Sequence, residues 1–138
     1  LKHREKIEMD NSKHAKDGTN NQSDWPWPES LDALVAAPDH HTLLLENERV
    51  RVLATLIPPG DTTPVHTHRW PGVYYFISWS DFVRTDDQSQ VMADSREIDA
   101  LAARPAVLWG EALPPHALEN VGDTVLHLIS VELKEEPF

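Results

Sequence analysis

Val50-Arg51-Val52-Leu53-Ala54-Thr55-Leu56-Ile57-Pro58-Pro59-Gly60-Asp61-Thr62-Thr63-Pro64-Val65-His66-Thr67-His68 decides how this chain folds. Its first eight residues are mostly apolar and rich in β-branched side chains, which predicts a strand. Pro58-Pro59-Gly60-Asp61 ends it, because proline lacks an amide hydrogen and glycine admits a tight turn. A short second strand, Val65 to Arg69, carries two histidines at i and i+2. Alternate strand residues share a face, so the imidazoles of His66 and His68 project side by side into one space. Two nitrogens placed in this way can reach one ion at about 2.0–2.2 Å.

The same pattern continues on both sides. Thr42 to Leu45 precedes it as a short apolar strand, with a turn at Glu46-Asn47-Glu48. Val73 to Trp79, Phe82 to Arg84, Gln90 to Ala93 and Ala106 to Trp109 follow as strands, and Pro114-Pro115-His116 opens another. Asp86-Asp87-Gln88-Ser89 reads as a hairpin turn, and Thr124 to Leu133 as a long last strand. Arg96 to Ala103 fits either a strand or a helical turn. Short strands punctuated by Gly, Pro and Asp predict an all-β, antiparallel sandwich or barrel.

Before the strands, Ser30 to Ala37 reads as a short helix stopped by Pro38. Trp25-Pro26-Trp27-Pro28 is an extended segment whose two indoles call for burial, an anchor onto the domain. Residues 1–24 are almost wholly polar and cannot build a core. The organisation expected is a polar arm at 1–24, the Trp-Pro anchor and short helix at 25–41, and a barrel at 42–138.

The chain has 138 residues, and 12 Lys and Arg against 23 Asp and Glu give a net charge of −11. Such acidity opposes binding to nucleic-acid phosphates. With no cysteine, zinc–thiolate sites, disulfides and cysteine nucleophiles are excluded, and any metal must be held by His, Asp or Glu. No apolar run approaches the ~20 residues that span a bilayer. No signal peptide is recognisable, and a cytoplasmic location is expected.

The eight histidines are not equivalent. His3 and His14 fall in the polar arm. His40 and His41 are adjacent, so on a strand they would point to opposite faces and not chelate one ion together. They read as structural residues. His116 follows two prolines that fix its backbone, in Pro114-Pro115-His116-Ala117-Leu118-Glu119-Asn120.

These residues resemble the two motifs of the cupin superfamily. Gly60, five residues, then His66-Thr67-His68 match the first. His116, three residues, then Asn120 match the second. The likeness runs over about residues 42–133 and extends to small single-domain bacterial cupins, mostly uncharacterised. It implies a double-stranded β-helix (a jelly-roll-like barrel) in which His66, His68 and His116 point into the barrel mouth as ligands of a divalent ion such as Fe, Zn, Ni or Mn.

Two places depart from the pattern. Gly72 and Val73 stand where the first motif carries a metal-binding glutamate. Glu111 and Leu113 stand where the second has Pro-x-Gly. Three neutral imidazoles leave a divalent ion its full charge, so it acts as a stronger Lewis acid and draws anionic or chelating ligands. Within the superfamily, three-histidine sites occur among oxygenases acting on thiols, diketones and aromatic diols. Glu119 should face away from His116, and Glu111 cannot be placed.

Trp70, Tyr74 and Trp109 are expected to line an apolar pocket above the metal, with Asn120 and His127 as further pocket residues. Two function classes stay open at this point. One is a metal-dependent, oxygenase-type enzyme on a small chelating or aromatic substrate. The other is a non-catalytic barrel that binds a small molecule, with or without metal. A homodimer is expected, because exposed sheet edges need covering and two-fold pairing is commonest.

Overall fold

The computed structural model describes residues 25–134. The polar arm, with His3 and His14, lies outside the described residues. A 3-10 turn at Glu29–Leu31 and a short helix α1 (Ala33–Ala36) lead into nine strands. These are β1 (His41–Glu46), β2 (Val50–Ile57), β3 (His66–His68), β4 (Gly72–Ser78), β5 (Phe82–Asp86), β6 (Val91–Asp94), β7 (Val107–Gly110), β8 (Leu113–Asn120) and β9 (Leu126–Leu133).

The strands form two sheets, ordered β1-β2-β9-β4-β7 and β3-β8-β5-β6. Every strand pairing is antiparallel. The predicted all-β class and the predicted strand β2 hold. The single helix expected over Ser30–Ala37 is split. Asp32 takes an extended conformation (ψ 144°), and its carboxylate caps α1 by accepting from the Leu34 amide at 3.1 Å. Arg96 to Ala103 is neither strand nor regular helix. It starts in one 3-10 turn, Ser95–Glu97, and continues in a second, Asp99–Leu101. Ser95 holds the first in place, its hydroxyl donating to Asp81 (2.9 Å) and accepting from the Phe82 amide (2.9 Å).

Strand alternation sorts the side chains. On β2, Arg51, Leu53, Thr55 and Ile57 are buried, while on β9 it is Leu126, Leu128, Ser130 and Glu132. Ile57, Phe82, Leu126 and Leu128 form the core, with Tyr74, Phe76, Trp79, Leu101 and Leu118 packed against it.

Asn120 is fully buried and fills its hydrogen-bonding capacity. Its amide donates to Ile57 O and Thr124 O, both at 2.8 Å, and its Oδ1 accepts from Ser80 Oγ (2.6 Å) and Gly122 N (3.0 Å). Its backbone also bonds both Gly60 and Asp61. The second motif is thereby tied to the turn that precedes the first. Gly60 makes that turn with φ +83°, where a side chain would be strained. Among the described residues, no helix is long and apolar enough to cross a membrane.

Candidate metal centre

β3 pairs with β8 so that His66 lies directly opposite His116. Their ring centroids are 4.3 Å apart, and those of His66 and His68 5.0 Å. His68 and His116 are 5.6 Å apart. Two distant stretches of sequence therefore bring these three rings to the inner face of the barrel, and all three are buried.

A fourth ring joins them. His41, at the start of β1, stacks edge-on to His66 (4.8 Å) and His68 (5.3 Å). The ligand nitrogens of His41, His66 and His68 all lie within 4.8 Å of one another, close enough to hold one ion. The sequence reading of His40 and His41 was right that they point apart. His40 turns to Asp61 (2.9 Å), whereas His41 turns inward. What that reading missed is that the inward member meets histidines from β3, a contact set by long-range pairing and not by local pattern.

Every ring of the cluster is oriented through Nδ1. His66 Nδ1 donates to Pro64 O (2.7 Å), His116 Nδ1 to Pro114 O (2.8 Å) and His41 Nδ1 to Ala37 O (3.0 Å). His68 Nδ1 donates to Glu132 Oε2 (2.8 Å). Carbonyl and carboxylate oxygens only accept, so the proton sits on Nδ1 and the lone pair on Nε2. Fixing the tautomer by an outer hydrogen bond is the usual preparation of a ligating histidine. The donor set suits a transition metal that accepts imidazole nitrogen.

Burial keeps His41, His66 and His116 neutral. It lowers His41 to about 4 and His66 to about 3, with repulsion from His68 adding to the effect. His116 is pushed well below the ordinary histidine value by burial, helped by His66 and His68. A buried imidazolium would lack solvation beside like charges, so the form with a free lone pair is favoured.

Glu132 is the carboxylate of the site and was not anticipated. It is 1% exposed and accepts from His68 Nδ1 and from Arg51 Nε (2.8 Å). Arg51 also grips Asp32 through both terminal nitrogens, at 2.9 and 3.0 Å. A chain of charge-assisted bonds thus runs from α1's cap through Arg51 and Glu132 to His68. The signal was present in the sequence, since Glu132 shares its strand face with Leu126, Leu128 and Ser130.

Position 72 cannot carry the motif's glutamate here. A Cβ on Gly72 would stand 2.0 Å from Val131 O, so the β9 backbone closes that position.

Beside the histidines lies a cavity of about 540 Å3 with mostly apolar walls. Tyr74 and Trp109 border it, and Trp109 donates its indole N–H to Glu111 (2.6 Å). Gly110 allows the Tyr74 ring its place, because a Cβ there would meet that ring at 2.5 Å. Trp70 is not part of this wall. β3 ends at His68, so strand parity does not carry to Trp70, whose ring sits among Arg51, Arg69 and Lys134 at 5.0–5.6 Å. It lines an outer groove with Trp25 and Trp27. His127 lies between inward-facing Leu126 and Leu128 and so points to the opposite face. Asn120 serves the fold through the bonds described above. Glu119 is exposed, as its parity predicts.

Two sheets closing on a histidine-lined cavity define a double-stranded β-helix, and this chain has the cupin fold. A cupin domain from Bordetella pertussis superposes with a TM-score of 0.54 at 22% identity, over 69% of this chain and 92% of that one. A cupin superfamily protein from Desulfitobacterium hafniense gives 0.45 at 19% identity, over 69% and 76%. An RmlC-like cupin with a double-stranded β-helix from Methanocaldococcus jannaschii gives 0.49 at 14%, over 67% and 77%. No protein-family model and no curated protein sequence matches the chain.

Proposed function

We propose that this protein is a metal-dependent cupin of oxygenase type, acting on a small substrate within the barrel cavity. His41, His66 and His68 hold a divalent transition metal through Nε2, and His116 completes the set. The observation that carries this reading is the common tautomer of four buried rings at one apolar cavity, each fixed by its own acceptor. An ion held by neutral imidazoles keeps its charge and supplies Lewis-acid or redox chemistry to a ligand at an open position. The protein's own part is to orient the rings, keep His41, His66 and His116 neutral and shield the substrate from water. Glu132 contributes from one bond further out, strengthening His68 as a donor.

Metal content of the purified protein, followed by O2 uptake with diketones, thiols and aromatic diols, tests the reading. One metal per chain with substrate-dependent O2 uptake is the expected result. Stoichiometric metal with no uptake on the panel makes the barrel a binding module instead.

We propose further that the protein is a homodimer. The outer face of the larger sheet is apolar across four strands, with Leu56, Tyr75, Ile77 and Val107 each 45–54% exposed. Val73 and Val131 pair on that same face, as do Ile129 and Ala54. A second copy of this face would cover it by sheet-on-sheet packing.

A further inference from the structure

The cavity holds one cation that neither the fold nor the histidine cluster uses. Arg84, on β5, lines the cavity. It shares a strand face with Phe82, a core residue, and lies opposite Leu118 of β8. Among the described residues, no hydrogen bond or ion pair reaches its guanidinium. Other arginines are held in ion pairs: Arg51 with Asp32 and Glu132, Arg96 with Asp94, Arg104 with Asp81. The acid that shares the cavity, Glu111, accepts the indole N–H of Trp109.

A half-buried charge without a partner is costly, and enclosure pulls the Arg84 guanidinium below the ordinary arginine value. Two neutral hydroxyls accompany it. Tyr74 interacts with it electrostatically and is held as the phenol by burial, its pKa pushed up to about 12. Ser130, opposite Tyr74 on β9, lines the cavity with a buried Oγ that has no partner among the described residues. A cation and two hydroxyls in apolar walls make a receptor for a carboxylate.

We propose that the cavity's ligand is a small carboxylate with an apolar body, its carboxylate on Arg84 and its body between Phe76, Phe82 and Leu128. Presentation of its far end to the histidines rests on the metal reading above, while the Arg84 contact does not. The guanidinium meets the carboxylate with paired N–H donors, a geometry that lysine cannot reproduce.

Benzoate and benzamide are the probes, having one shape and differing in charge. Titration calorimetry is run on metal-loaded and chelator-treated protein, with Arg84→Gln and Arg84→Lys alongside the parent. Benzoate should bind at least about tenfold more tightly than benzamide, a difference of about 1.4 kcal/mol. Arg84→Gln should abolish that preference and leave benzamide affinity within about twofold. Arg84→Lys should keep only part of it, and serves alone if the glutamine variant fails to fold. Equal binding of the two probes, binding of neither, or a preference that survives Arg84→Gln overturns the proposal. Preference that persists in chelator-treated protein, in a chain that takes up no metal, removes the metal reading and keeps this one. Metal uptake without discrimination does the reverse.

Discussion

Gly72 and Glu132 sit opposite each other on β4 and β9, and the pair explains how this barrel dispenses with an acid on its first motif. The β9 backbone runs so close to Gly72 that a side chain there has no room. The same strand delivers the Glu132 carboxylate to the outer nitrogen of His68. On the proposed reading, the acid stands one hydrogen bond behind the metal rather than among its ligands. A bound ion would keep its full charge, while the carboxylate fixes the His68 ring.

Glu132→Gln should therefore weaken metal binding without removing a ligand. Loss of an outer-shell partner costs about 10–100-fold in affinity. The variant also leaves Arg51 with one carboxylate, Asp32, so thermal stability should fall as well. Competition with a chromophoric chelator measures the first effect. Unchanged affinity would show that Glu132 serves only Arg51.

His40 and His41 should separate cleanly. His41→Ala should lower metal affinity by tenfold or more, about 1.4 kcal/mol at the least. His40→Ala removes only the exposed pair with Asp61 and should leave affinity unchanged. Equal effects of the two would remove His41 from the ligand set.

Metal-free protein should lose stability as pH falls below neutrality. His41 and His66 titrate near 4 and 3 in the folded chain but near 6.5 when unfolded. Below 6.5 the unfolded chain binds protons that the folded chain refuses, so stability drops until the folded values are reached. Each ring contributes about 1.4 kcal/mol per pH unit across that window. Urea midpoints at pH 8, 6 and 5 read this directly, and a flat series would contradict the neutral, buried state of the rings.

Asn120→Ala should cost about 3 kcal/mol or more, since it strands buried groups at Ile57, Thr124 and Ser80. Metal stoichiometry in the folded variant should not change. A lost metal site with unaltered stability would make Asn120 a site residue after all.

Placing a lysine at Ile77 should convert a dimer to monomers, because the substitution puts a charge in the centre of the apolar sheet face. Light scattering of the parent and Ile77→Lys decides it. A parent that is monomeric at every concentration tested rules out pairing through this face.

Much of this architecture was legible from periodicity alone. β2 reads from its β-branched run, and Pro58-Pro59-Gly60 marks its end. The convergence of His66 and His68 follows from strand alternation. His116 came only through likeness to a known motif, because nothing local says that β8 pairs with β3. His41 and Trp70 show where local pattern fails. The inward turn of His41 follows from its register opposite buried Thr55 of β2, and Trp70 lies just past the end of a strand whose parity no longer applies. The turns at 95–101 were ambiguous because Asp81 and Phe82, distant in sequence, hold the first of them.

Anomalous diffraction from crystals grown with the purified metal tests the central claim most directly. The account predicts a single ion within about 2.0–2.2 Å of the Nε2 atoms of His41, His66, His68 and His116, with Glu132 bonded to His68 and not to the ion. An empty cluster in metal-saturated crystals, or an ion ligated through Nδ1 or by Glu132 itself, would contradict it.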